Sequence, residues 1–172
     1  MTASAAPRVL VLGIGNVLWA DDGFGVRAVE ALQARWPAPP ANVRLLDGGT
    51  LGLELLSLVR EADVLVVFDA VDYGLPPGTL HCLAGSEVPR FLGVKKMSLH
   101  QTGFQEVLAL ADWFGECPRH LLLIGAQPVT VDDFGGDLHP TVRALIEPAL
   151  ARAWDYLAGF GVDAPARSAR AP

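Results

Sequence analysis

Apolar residues follow two alternating patterns along this chain. Five short runs rich in β-branched residues or leucine span residues 9–12, 43–46, 64–68, 79–83 and 121–125. Between the first two runs, Val29, Leu32 and Trp36 recur at the spacing of one helix face. Alternating strands and helices are typical of an α/β domain whose mostly parallel sheet is covered by helices on both faces. We therefore predict that fold class.

The link between the third and fourth runs departs from this alternation. Residues 72–78 read Asp-Tyr-Gly-Leu-Pro-Pro-Gly, a composition typical of a loop. A parallel connection needs a crossover of about a dozen residues or more, usually with a helix, and this link leaves no room for one. The fourth run is therefore predicted to form an antiparallel strand at the edge of the sheet.

Two further helices are indicated by their first residues. Thr102 and Gln105 form a capping-box pair that would satisfy free backbone donors, so a helix is predicted to begin there. Pro140 suits the first position of the last helix, whose apolar stripe runs through residues 142–157. Pro148 lies inside that stripe and is predicted to kink the helix, because proline lacks the backbone donor.

Length and charge narrow the class of protein. A chain of 172 residues fits one domain, residues 1–172, with an ordered core over about residues 8–160 and flexible tails. The formal net charge is −6 and there is no long run of Lys or Arg, which argues against a nucleic-acid partner. The apolar stretch at residues 9–20 is too short to span a bilayer, so no membrane insertion is expected.

The cysteines bear on the compartment and on the chemistry. Cys82 and Cys117 form neither a CxxC pair nor a disulfide framework, which suits a reducing compartment, and we predict the cytoplasm. Neither cysteine has a base partner fixed by spacing, and no Gly-x-Ser-x-Gly motif is present. Covalent catalysis by a protein nucleophile is therefore poorly supported.

The glycine-rich segment between the first run and the first helix is the first candidate site. It lies at the carboxyl end of a strand, where α/β sheets bind ligands. A dinucleotide is a poor ligand, because the third glycine of the GxGxxG motif is replaced by Leu18 and because Asp21 and Asp22 would repel a pyrophosphate. A cation fits better. The alternative is that one of the two aspartates only caps the helix.

Asp69 is the second candidate, because it follows the third apolar run directly. Such an aspartate often does no more than orient the next loop. If the first and third strands are neighbours, however, Asp22 and Asp69 converge on one crevice, and two carboxylates there need a proton or a cation between them.

His100 is the third candidate and precedes the capping box. Alone it reads as a cap or a surface residue, but with the two carboxylates it completes an O, O, N set with open coordination positions, suited to a divalent transition metal. His81, His120 and His139 have no comparable neighbours, and His139 is read as a helix cap.

Two further segments lie near the predicted crevice. Asp47, Gly48, Gly49 and Thr50 follow the second strand, and they form either a simple turn and helix entry or a secondary part of the site. Residues 95–96, a pair of lysines, are either solvated or placed to receive the end of an acidic peptide.

These residues together resemble, in spacing and order, the hydrogenase maturation endopeptidases. The likeness runs over about residues 8–157, and residues 74–79 with 95–107 look like the branch that serves uptake hydrogenases. Each motif is weak alone, but the set is specific. It comprises Gly13, Gly15, Asn16, Asp21, Asp22, Gly23, Gly25, Asp47, Gly48, Gly49, Thr50, Asp69, Ser98, Leu99, His100 and Gln101.

The resemblance implies a fold and an activity. The fold is a three-layer sandwich with a twisted five-stranded sheet between helices, and the activity is removal of a C-terminal extension from the large subunit of a nickel-iron hydrogenase after nickel insertion. The family's metal-recognising residues map onto Asp22, Asp69 and His100. The first of these is Glu in some relatives, so the shorter Asp here changes the reach to the metal. The resemblance also implies that nickel arrives with the precursor substrate. No nucleotide or flavin is expected, because the acidic loop disfavours one.

Several mechanisms fit these residues. The nickel would act as a recognition tag and a Lewis acid while water attacks, or Asp22 or Asp69 would serve as the general base. The rival functions are a nickel-binding maturation chaperone without hydrolysis, a flavodoxin-like nucleotide-binding module and an ordinary zinc peptidase.

Overall fold

A computed structural model describes residues 6–88 and 99–165 of the chain, without the side chains of residues 99–103. It contains one five-stranded sheet in the order β2-β1-β3-β5-β4. Residues 1–5 and 166–172, which belong to the tails predicted to be flexible, lie outside the described residues. The strands are β1 Val9–Ile14, β2 Val43–Gly49, β3 Val64–Ala70, β4 Leu80–Ala84 and β5 His120–Ala126.

The strand directions confirm the predicted fold class. All neighbouring pairs are parallel except β4 and β5, which are antiparallel, so β4 is the antiparallel edge strand that the short loop required. β1 pairs with both β2 and β3, and Gly13 lies opposite Asp47 on one side and Phe68 on the other. The first and third strands are thus neighbours, as the convergence of Asp22 and Asp69 requires.

The helices form two layers on the two faces of the sheet. They are α1 Phe24–Arg35, α2 Leu56–Glu61, α3 Leu99–Trp113, α4 Pro140–Arg143 and α5 Ile146–Ala158. Side chains along a strand point alternately to opposite faces. Val9 and Val11 of β1 accordingly pack with α1, α4 and α5, whereas Leu10 and Leu12 pack with α2 and α3. In the described parts of the chain, none of the helices combines the length and hydropathy needed to cross a bilayer.

Two helix predictions need correction. α3 begins at Leu99, three residues before Thr102, because no residue among Leu99, His100 and Gln101 breaks a helix. His100 therefore lies in the first turn of α3 and not in the loop before it. The last helix is divided rather than kinked: α4 ends at Arg143 and α5 begins at Ile146. Pro148 explains the interruption, since its ring clashes with the carbonyl of residue 144 and it donates no hydrogen bond there.

Candidate functional site

The glycines of the β1–α1 loop allow an unusually close approach of backbones. A Cβ on Gly25 would lie 2.2 Å from the carbonyl oxygens of both Ile14 and Phe68, so only glycine lets the start of α1 rest on the ends of β1 and β3. Gly15 has a φ of +139°, and a Cβ there would lie 2.0 Å from the carbonyl oxygen of Asp22. The glycines thus hold the backbone around Asp22 against the carboxyl ends of two neighbouring strands.

Asp22 and Asp69 are both buried at this end of the β1–β3 pair. Each is 5% exposed. Asp22 belongs to the 3-10 turn Ala20–Gly23, which contacts β3, and Asp69 is the penultimate residue of β3. Two buried carboxylates in one region are of the residue type that binds a divalent cation. Cation binding remains a prediction for this pair.

A small cavity adjoins Asp69 under α3. It has a volume of about 30 Å³, and its lining includes Asp69, Tyr73, Phe104 and Gln105. Burial, and to a smaller extent the charge of Asp69, raises the pKa of Tyr73 to about 12. The Tyr73 hydroxyl is itself buried and has no hydrogen-bond partner among the described residues. The surroundings of Asp69 are thus largely apolar, which strengthens its charge interactions.

His100 approaches the same region through its helix. Its side chain is outside the described set, but its backbone lies one helical turn before Phe104, which lines the cavity with Asp69. Among the side chains that the structure does describe, no three His, Cys, Asp or Glu residues are arranged to hold a metal. The three-residue metal set remains a prediction. Lys95 and Lys96 also lie outside the described residues.

Asp21 has a structural task that separates it from Asp22. Its side chain is fully buried and accepts three backbone hydrogen bonds. Oδ2 accepts from Val129 N at 2.8 Å and Thr130 N at 3.0 Å, and Oδ1 accepts from His139 N at 2.7 Å. With both oxygens occupied in this way, Asp21 is a poor candidate for a metal ligand.

The alternative that one aspartate caps α1 is wrong. The residue that precedes this helix is Gly23, and no side chain makes a capping hydrogen bond there. Asp21 instead ties down the loop that follows β5. By contrast, His139 is a helix cap as predicted, since its Nδ1 accepts from Thr141 N at 3.2 Å.

The segment from Asp47 to Thr50 forms the rim of the site. Asp47, Gly48 and Gly49 were predicted to follow the second strand, but they are its last three residues, because Gly13 and Ile14 of β1 pair with Asp47 and Gly49. Asp47 and Thr50 are exposed, whereas Gly48 is buried and a Cβ there would lie 2.9 Å from Ile14. Gly49 has a φ of +43°, and its carbonyl oxygen accepts from Gly15 N at 3.0 Å. These contacts support the shape of the β1–α1 loop. Direct involvement of Asp47 in chemistry stays a prediction.

Gln127 is a supporting residue that the sequence reasoning missed. It follows β5 directly and is 6% exposed. Its Oε1 accepts from Tyr73 N at 2.9 Å and Leu75 N at 3.2 Å, and its Nε2 donates to Asp72 Oδ1 at 3.0 Å. Gln127 thus fixes the loop that carries Tyr73 past Asp69. A polar residue directly after an apolar run, the signal that identified Asp69, would also have found it.

Comparison with known proteins decides the family. The model of the family HycI, hydrogenase maturation protease, matches residues 26–155. The chain belongs to the hydrogenase maturation protease family. The hydrogenase expression/formation protein HupD of Thiocapsa roseopersicina is 67% identical over 161 residues, which cover 94% of this chain and 72% of that protein. HupD of Bradyrhizobium diazoefficiens is 58% identical over 168 residues, covering 98% of this chain and 87% of that protein.

A solved structure agrees with this assignment. The hydrogenase maturating endopeptidase HybD from Escherichia coli superimposes with a TM-score of 0.86 at 42% identity, covering 94% of this chain and 98% of that one. The fold and the family that the motifs indicated are therefore confirmed. The chain is a protease of hydrogenase maturation.

Proposed function

We propose that this maturation protease removes a C-terminal extension from the precursor of a nickel-iron hydrogenase large subunit in the cytoplasm, after nickel insertion. It recognises the substrate's nickel through Asp22, Asp69 and His100. The observation that carries the proposal is the burial of two carboxylates at the adjoining ends of β1 and β3. The family supplies the substrate class, and the buried acidic pair supports the metal.

The chemistry of the donor set suits a metal that the substrate brings. Two carboxylates and one imidazole neutralise a divalent cation and leave coordination positions for the substrate's own ligands. Asp21 adds no ligand, because three backbone N–H groups occupy its oxygens. The protein's part is to bind and orient the metal-loaded substrate, so that the scissile peptide is fixed relative to an attacking water.

Two roles remain open for the carboxylates. In one, Asp22 and Asp69 serve only as ligands and the substrate's nickel polarises the scissile carbonyl. In the other, one of them accepts the proton of the attacking water, a contribution of roughly 100- to 10,000-fold in rate. Asp69 lines the cavity beside β3, which leaves space next to its carboxylate for a water molecule.

The deciding experiment compares nickel-loaded and nickel-free precursor. Purified protease is mixed with each form, and release of the extension is followed by mass spectrometry of the intact precursor. We expect cleavage of the loaded form only. Equal cleavage of both forms would contradict nickel recognition, and binding of the loaded form without a shortened product would support the chaperone alternative.

Single variants separate the two roles. Asp22→Asn and Asp69→Asn should each lower the cleavage rate at least about a hundredfold, whereas Asp155→Asn, exposed on α5 and outside the site, is the matched control. A ligand-only role predicts that both Asn variants also bind the loaded precursor more weakly. A base role predicts one variant that binds normally and does not cleave.

A further inference from the structure

The loops that follow β1 and β5 form one continuous surface at the carboxyl edge of the sheet. We call residues 15–23 and 127–139 together the paired-loop surface. The rings of Trp19 and Phe134 meet edge to face with centroids 5.0 Å apart, and these two residues also form an isolated antiparallel bridge. The three hydrogen bonds that Asp21 accepts fasten the second loop to the first. The surface is thus built on fixed backbone.

This surface concentrates apolar side chains in contact with solvent. Of the eleven large hydrophobic residues exposed among the described residues, six lie on it. Of these six, the most exposed are Phe134 at 66% and Leu18 at 53%. A concentration of this kind on an ordered surface marks an interaction site, and large aromatic side chains supply much of the binding energy in such sites. The six are Val17, Leu18, Trp19, Val129, Val131 and Phe134.

The charges on the paired-loop surface have one sign. Neither loop contains Lys or Arg. Asp137 forms an ion pair with Arg143, whereas Asp132 and Asp133 are exposed directly beside Phe134. A partner that covers this surface must therefore be apolar at its centre and basic at its border, because like charges across an interface are unfavourable.

A second copy of this chain does not meet that requirement. A two-fold contact buries the same patch on both copies, so Asp132 and Asp133 of each copy would face a paired-loop surface that carries only acidic charges. No basic side chain of either loop would offset this repulsion. The occupant is a different macromolecule.

We propose that the paired-loop surface docks the hydrogenase large-subunit precursor, through a patch of apolar side chains bordered by Lys or Arg. This inference rests on the proposed function and adds a docking site outside the metal-recognising residues. Position supports the occupant, because Trp19 precedes Asp22 by three residues and both lie on the loop after β1. A protein held there presents its neighbouring segment to the two carboxylates.

The test replaces the two most exposed apolar side chains together. Leu18→Ser/Phe134→Ser should raise the Kd for nickel-loaded precursor about tenfold or more, measured by biolayer interferometry. The single-turnover cleavage rate at saturating protease should stay within about twofold of wild type, because the chemistry is unchanged. Trp113→Ser is the control, since Trp113 is 86% exposed and belongs to α3, outside the paired-loop surface.

The possible results distinguish this surface from the proposed function. An unchanged Kd for the folded double variant, with cleavage by wild type intact, would overturn the docking surface. Wild type that binds through the surface but releases no extension would support docking and overturn the proteolytic proposal. Sedimentation that shows a wild-type dimer abolished by the double variant, with precursor binding unaffected, would assign the surface to a second copy and overturn this inference.

A charge variant tests the border separately and leaves the apolar side chains in place. Asp132→Lys should weaken precursor binding several-fold and reduce its salt dependence, because it places a cation opposite the basic border of the partner. Tighter binding by this variant would contradict the proposed partner chemistry. Thermal unfolding of each variant confirms that the compared proteins are folded.

Discussion

The two helix layers of the molecule are built differently. Both layers bury large side chains completely, among them Phe24 and Leu150 on the face of α1, α4 and α5, and Leu55 and Leu108 on the face of α2 and α3. On the first face the fit at the sheet is tight, since a Cβ on Gly13 would lie 2.6 Å from Val29 of α1. The second face contains the cavity of about 30 Å³ beside Asp69. The first layer is a tightly fitted support. The second leaves space next to a buried charge.

This difference separates the task of two adjacent aspartates. The carboxylate of Asp21 holds the loops that lead into α1 and α4, so it belongs to the tightly packed layer. Asp22 lies at the junction of β1 and β3, at the same end as Asp69. A preorganised site needs rigid support for its residues. Here Asp21 supplies that support on one side, and the buried carboxylate of Asp69 faces a cavity on the other.

The largest change in stability is expected at Asp21, whose carboxylate holds the two loops together. Asp21→Asn leaves one carbonyl oxygen to accept from three backbone donors and turns an NH₂ group toward them. It should lower the free energy of unfolding by about 2–3 kcal/mol, measured by urea denaturation. Asp22→Asn, which disturbs none of these three bonds, is the control. A loss of less than about 0.5 kcal/mol for Asp21→Asn would mean that the loops are held by other contacts.

A matched pair of enlargements tests the packing contrast directly. Val29→Ile adds a methylene to the tight layer, where a Cβ on Gly13 would already lie 2.6 Å from Val29, and should cost about 1–3 kcal/mol. Val67→Ile adds the same group beside the cavity and should be neutral or slightly stabilising. Urea denaturation of both variants measures the difference, and equal losses would contradict the contrast.

A substitution of Tyr73 should change the free energy of unfolding by less, and should raise it. Its buried hydroxyl lacks a partner among the described residues, so Tyr73→Phe should raise stability by up to about 1 kcal/mol. Chemical denaturation of the variant is the measurement. A loss of stability would show that the hydroxyl makes a hydrogen bond that matters to the fold.

The smallest effect is expected at the surface of the tight layer. Arg35 Nη1 donates to Glu147 Oε2 at 2.6 Å, and this hydrogen bond lowers the pKa of Glu147 below its ordinary value of 4.5. Glu147 therefore contributes stability above that ordinary value, and the contribution is lost as pH falls through the lowered pKa. Glu147→Gln should cost less than about 1 kcal/mol at pH 7. Thermal unfolding at pH 7 and pH 3 should show a smaller difference from wild type at the lower pH.

Much of the fold was predictable because it depends on local pattern. The five apolar runs and the short link after β3 were sufficient for a mostly parallel sheet with an antiparallel edge strand. The start of α3 and the division at Pro148 were predicted less well. Helix ends depend on which of several competing backbone contacts wins, and that is settled by packing.

The candidate site was predictable only in part. Asp69 and the glycine-rich loop stand out in the sequence, because a charge after a buried strand and closely spaced glycines are local signals. Asp21 and Gln127 did not stand out as supports, since their partners lie 108 and 54 residues away in the chain. No periodicity or spacing reports a hydrogen bond of that range.

The sequence by itself therefore determined the class of sheet, the family and the short set of acidic residues at its carboxyl edge. Tertiary structure alone decided which of the adjacent aspartates holds the loop after β5, because Asp21 Oδ2 meets Val129 N at 2.8 Å only after β5 has paired with β3. Strand order likewise placed Asp22 and Asp69 at one end of β1 and β3, and folding of the loops after β1 and β5 gathered six apolar side chains into one exposed surface. These features depend on contacts between residues that are distant in the chain. Such contacts form only when the strands pair into the complete sheet.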